Sequence, residues 1–196
     1  MLKFINNATD LKKTVYDKMI NTFFFSVYPN LVNRFNPNSP NDVTFFTSPS
    51  DGVAYTANDR VTYNSNWFKD HPEDTDVVTH ELMHVVQAYN FGGVPGWLTE
   101  GIADYARYKY GLNNDAGGWA LPSYDPSQKY TDAYRVTARF LVWLETKKGY
   151  ADIVDRLNRA CYDKTYSAQT WNDITGKSVD DLWNEYAQNP SVNSQF

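Results

Sequence analysis

His80, Glu81 and His84 stand in the run His80-Glu81-Leu82-Met83-His84, and these residue types at this spacing can carry out hydrolysis. Residues four apart lie on one face of a helix. His80 and His84 can therefore each aim a ring nitrogen at one metal ion. Glu81 falls beside the ion's open position, where it can take a proton from a water held there. Two histidine ligands and a glutamate general base make the zinc hydrolase pattern. The chain has 196 residues and 3 histidines, two of them in this pattern. Two histidines leave a catalytic zinc one protein ligand short. Glu100, 16 residues after His84, is the natural third ligand, and Asp104 stands four residues further on. Asp104 could accept the free ring N–H of His80 or His84 and so orient that ligand, as metal-bound histidines usually require.

The plainer alternative is a hydrogen-bonded histidine pair near a core, with Glu81 a solvated charge. Glu100 and Asp104 would then be an ordinary exposed helical face. The joint occurrence of all five residues at these spacings favours the metal site.

The elements that must position these residues can be read from periodicity. Val78, Leu82, Val85, Val86 and Tyr89 fall at helical spacing and predict a buried stripe. His80 and His84 lie off it, on a neighbouring face with Val77 and Gln87. Asp70 as cap, Pro72 at an early position, and Glu73, Asp74 and Asp76 near the positive end predict the helix start. Asn90-Phe91-Gly92-Gly93 predicts its stop. Pro95-Gly96-Trp97 reads as a turn into a second helix carrying Glu100 and Asp104.

Elsewhere, residues 9–28 read as one long helix with a Leu11, Val15, Met19 and Phe23 stripe, and 29–42 as a polar loop. Residues 43–47, 53–56 and 60–64 read as strands, with a turn at 57–59. Residues 111–128 form a long loop. Helices are expected over 130–148, 151–162, 168–174 and 179–187.

The blocks Thr79-His80-Glu81-Leu82-Met83-His84-Val85-Val86-Gln87, Pro95 to Arg107 and Tyr134 to Leu141 resemble the basic secretory protein family, zinc peptidases of plants and bacteria. Trp97-Leu98-Thr99-Glu100-Gly101 is similar, more distantly, to the third-ligand helix of gluzincin aminopeptidases. The spacing from His84 is slightly shorter than is usual there, which keeps Asp104 open as the alternative ligand. The resemblance implies a zinc cofactor, peptide or protein substrates and a tyrosine that stabilises the oxyanion; the abundance of aromatics adds glycoproteins as an alternative substrate class. Tyr134 matches the family block, and Tyr130 matches the position used in the aminopeptidase relatives.

The expected fold is α+β and zincin-like. A small mixed sheet would pack on the His-Glu-x-x-His helix, followed by a mostly helical C-terminal lobe. We expect a single domain over 1–196, with an α/β lobe over about 1–92 and a helical lobe over about 93–196. In such enzymes an edge strand holds the peptide backbone in extended form, and residues 60–64 are the candidate for it.

Composition narrows the function classes. The formal charge of −5 and the scattered Lys and Arg argue against a nucleic-acid surface. An acidic chain also fits the bacterial branch of the family better than the plant one. Aromatics at 16% are frequent enough to line a cleft as well as a core. No apolar run approaches membrane-spanning length. Lys3 is followed by no apolar stretch of the secretory-signal kind. Because the family is secreted, we expect a secreted or cell-envelope protein with its leader removed, a cytoplasmic one being the other possibility. The single cysteine, Cys161, excludes an internal disulfide and sits in a buried helical pattern. Asn7-Ala8-Thr9 fits the glycosylation pattern. The resulting expectation is a secreted zinc endopeptidase with Glu81 as general base. The alternatives are a zinc-binding protein, or a glycopeptide-directed hydrolase or binding module with narrow or lost peptidase activity.

Overall fold

The computed structural model describes residues 1–8, 11–89 and 92–192. They form two compact units, one of residues 1–88 with 106–120, the other of 89–105 with 121–196. The expected start of the first helix at Thr9, the end of the glycosylation pattern and part of the expected stop at Asn90-Phe91 lie outside the described residues.

The first unit is built on a four-stranded mixed sheet in the order β1-β2-β4-β3. The strands are β1 (Leu2–Asn6), β2 (Val43–Ser48), β3 (Ala54–Ala57) and β4 (Arg60–Asn64). β1, β2 and β4 run parallel, whereas β3 pairs antiparallel with β4. β1 escaped the sequence reading, because five residues with one lysine carry little alternation. It is defined by its ladder to β2, with Phe4 opposite Phe45.

β4 is an interior strand, paired by β2 on one side and β3 on the other. It cannot offer a free edge to a peptide, which corrects the expectation for residues 60–64. The outer strand on that side is β3, and it packs on the helix carrying the histidine pair.

The crossover from β1 to β2 is helical. The expected stripe is present, with Val15, Met19 and Phe23 all buried. The helix is not continuous, however. α1 (Lys13–Asn21) passes through a π-helical turn over Thr22–Ser26 into α2 (Val27–Phe35). The turn directs Phe23 inward against Phe45, at 5.7 Å between ring centroids, and leaves Phe25 80% exposed. Pro29 falls in the first turn of α2, where a missing N–H costs no helical bond. Residues 29–35 are therefore helix, not loop.

A short helix, α3 (Ser65–Asp70), follows β4, with Asn64 accepting the Asn66 N–H as its cap. Asp70 thus ends one helix instead of capping the next, because Pro72 cannot continue α3. The histidine helix α4 begins at Val77 and ends at Gln87, with Ala88 in left-handed backbone. The next helix, α5 (Gly96–Tyr110), contributes residues 96–105 to the second unit and 106–110 to the first.

The second unit adds α6 (Tyr134–Thr146), α7 (Ile153–Tyr162), α8 (Gln169–Thr175) and α9 (Val179–Gln188). Its core is aromatic: Phe140 lies 5.2 Å from Trp183, 5.6 Å from Tyr186 and 6.3 Å from Trp171. Cys161 is buried here, and burial pushes its thiol up to about 12, so it is not a nucleophile. The expected helix over 130–148 is split. A 3-10 turn at Tyr130–Asp132 precedes α6, and Ala133 and Tyr134 both have positive φ, 66° and 47°. No described helix is long and apolar enough to cross a membrane.

α5 and α6 approach closely at Gly101. A Cβ there would stand 2.2 Å from Thr137 Cγ2 and 2.5 Å from its Cβ. Thr137 cannot swing away without loss, because its hydroxyl donates to the Tyr130 carbonyl at 2.6 Å. Gly101→Ala is expected to cost about 1–3 kcal/mol by overpacking. Pairing it with Thr137→Ser, which removes the nearest methyl, should restore part of the loss in thermal melts.

Candidate metal centre

α4 reads Val77-Val78-Thr79-His80-Glu81-Leu82-Met83-His84-Val85-Val86-Gln87, a sequence rich in β-branched residues of modest helix propensity. Packing must hold such a helix together. Every residue of α4 is buried except His80 and His84. The helix therefore turns one window of its surface away from the core, and the histidine pair fills it. At its C-terminal end, the Asn36 side-chain amide donates to the Val86 carbonyl at 2.9 Å.

The two Nε2 atoms face each other at 3.1 Å. A tetrahedral ion with ordinary Zn–N bonds needs ligand nitrogens about 3.3 Å apart. Only a small adjustment would bring both onto one ion. On its other side, His84 Nδ1 lies 2.7 Å from Gln87 Oε1. The remaining histidine, His71, stacks on Trp67 at 4.0 Å between ring centroids.

Glu81 is 5% exposed, so it is not a solvated surface charge. The Thr56 hydroxyl, on the outer strand β3, donates to Glu81 Oε2 at 2.7 Å. One carboxylate oxygen is thereby fixed, and the carboxylate's orientation with it. Tyr63, fully buried on β4, is kept protonated: burial pushes its phenol well above the ordinary value, and the Glu81 charge adds to this.

Glu100 lies in the first turns of α5, between the buried Leu98 and the tightly packed Gly101. His80, His84 and Glu100 each offer one ligand atom, and these atoms lie within 4.8 Å of one another. The donor set is two imidazoles and a carboxylate, a set characteristic of catalytic zinc. Asp104, one turn beyond Glu100, is 4% exposed, which excludes an ordinary exposed helical face.

The two tyrosines differ in setting. Tyr130 donates its hydroxyl to Asp180 Oδ1 at 2.8 Å, and its ring packs on Trp97 at 5.0 Å. Burial, with Asp180 beside it, pushes its phenol up to about 12. Tyr134 is 53% exposed and begins α6 in left-handed backbone.

Residues 3–186 match the family model of a peptidase of plants and bacteria. The chain belongs to this family. No curated protein and no solved structure matches it. The family match covers both compact units and every residue of the candidate centre. The family is one of peptidases, and the histidine, histidine, glutamate group that could hold a metal ion lies within the matched residues.

Two residues that contact the candidate centre carry little or no signal in the sequence. In the sequence Gln87 shows only that it shares a face with the histidines, although three residues after His84 is a spacing at which helical side chains meet. Thr56 had no signal at all, because its contact with Glu81 depends on how β3 crosses α4.

Proposed function

We propose that this family member is a gluzincin-type zinc peptidase. His80, His84 and Glu100 hold the ion, Glu81 is the general base, and extended protein segments are cleaved outside the cell. The observation that carries this reading is the convergence of the three donor atoms next to a buried, oriented glutamate.

Zinc, when bound, supplies a Lewis acid that polarises the scissile carbonyl and acidifies water. The rest falls to the chain's own side chains. Glu81, with Oε2 engaged by Thr56, keeps Oε1 to accept the proton of the attacking water. It later returns that proton to the leaving amine. Asp104 is the orienting carboxylate of the ligand set. Its burial supports this, because a buried carboxylate needs partners.

An oxyanion needs a donor from the protein, and Tyr134 is the first choice. A tyrosine held at φ 47° is strained, and such strain clusters at functional sites. Tyr130 is the second, since it would have to give up Asp180.

The substrate backbone is read by strand addition to β3, in place of the residues first expected. β3 is the outer strand of the sheet and bears the threonine that fixes Glu81. Recognition through backbone hydrogen bonds requires no chain terminus, which fits an endopeptidase. An α+β unit with a small sheet packed on the histidine helix supports the zincin architecture.

Zinc analysis of wild type and His84→Ala tests the centre. Stoichiometric zinc in wild type, lost in the variant together with cleavage of a mixed peptide library, is the expected result. A wild type that binds no zinc would overturn the proposal.

A further inference from the structure

We infer that Gln87 is a positioning residue that sets the tautomer of His84, so that α4 carries its own orienting group for one of its two ligands. This rests on the metal-site reading above and deepens it. Gln87 Oε1 lies 2.7 Å from His84 Nδ1, and Gln87 is 1% exposed. An amide oxygen only accepts hydrogen bonds. The hydrogen is therefore on Nδ1, and in the neutral ring Nε2 keeps its lone pair. That Nε2 is the nitrogen turned toward His80 Nε2 at 3.1 Å. Had Gln87 presented its NH2 group instead, Nδ1 would be the acceptor and the proton would sit on Nε2, closing it to a metal. The choice of amide face thus decides whether His84 can be a ligand.

Residue type at 87 then matters in a predictable order. A methionine fills the space but offers no comparable acceptor. A glutamate keeps the acceptor and adds charge.

The test is zinc affinity by chelator competition for wild type, Gln87→Met and Gln87→Glu, with melting curves as a control for folding. Nitrogen NMR of zinc-stripped, histidine-labelled protein reports the tautomers. Loss of an orienting partner typically costs 10–100-fold in metal affinity. We expect a weakening of roughly that size in Gln87→Met and affinity within a few-fold of wild type or tighter in Gln87→Glu. The His84 Nδ1–H tautomer should dominate in wild type and become mixed in Gln87→Met. Unchanged zinc affinity in Gln87→Met would overturn the inference. So would equal weakening in both variants, since that would make position 87 a matter of packing. If wild type bound no zinc, the metal-site reading would fall, whereas the NMR spectra would still decide the role of Gln87.

Discussion

Glu81→Gln is expected to lower kcat/KM for peptide hydrolysis by roughly 10²–10⁴-fold, the usual worth of a general base. Zinc content and melting temperature should hardly change. The argument is geometric. Glutamine has the shape of glutamate and can still accept the Thr56 hydroxyl hydrogen that now goes to Oε2 at 2.7 Å. The position is 5% exposed, so the substitution exchanges a buried charged group for a neutral one without opening a cavity. What glutamine cannot do is accept the water proton and pass it to the leaving amine. The loss should therefore fall on kcat, with KM little altered, because the base acts in the transition state and not in substrate binding. Zinc analysis, steady-state kinetics on a peptide cut by wild type, and a melting curve separate the contributions. Undiminished cleavage in Glu81→Gln, with zinc in place, would remove Glu81 from the mechanism.

The parts of this protein legible in the sequence are those that depend on local spacing. The His80–His84 pair, the Glu100 helix and strand β2 follow from periodicity and residue chemistry within a few positions. The later helices were found for the same reason. What failed depended on distant partners. β4 has the pattern of a half-buried strand, but whether it is an edge or an interior strand depends on β3 folding back onto it. The helix start at Asp70 was persuasive because Asp and Pro are common there. The actual start, at Val77, follows residues held by what Asp74 and Asp76 bind. The break at Ala133 and Tyr134 has no glycine to announce it. Thr56 became part of the centre only through the crossing of β3 and α4. Single-residue chemistry was thus easier to foresee than the contacts that aim it.

Those acidic residues also lead to the largest stability effect we expect, in Arg107→Met. Arg107 forms an ion pair with Asp74, and the two side chains are 6% and 11% exposed. Asp74 Oδ2 also accepts the Trp67 indole N–H at 2.9 Å. The guanidinium donates from Nε to Asn114 Oδ1 at 2.9 Å and stacks over Trp119 at 4.6 Å. Beside this, Asp76 accepts the Asn113 backbone N–H and, at 3.1 Å, the Thr79 hydroxyl. The loop after α5 is thereby tied to the residues that start α4. Removing Arg107 would leave Asp74 a buried charge opposed only by an indole N–H. Breaking a buried pair in this way typically costs about 3–5 kcal/mol, which lowers the melting temperature by roughly 6–20 °C for a chain of this size. The companion variant distinguishes lost attraction from stranded charge. Asp74→Asn in the Arg107→Met background removes the charge while keeping an oxygen for Trp67, so the double variant should be more stable than Arg107→Met alone. If it were equally unstable or worse, the cost would lie in lost packing on Trp119. Zinc affinity measured on the same variants shows whether disorder at the start of α4 reaches His80, one turn into the helix.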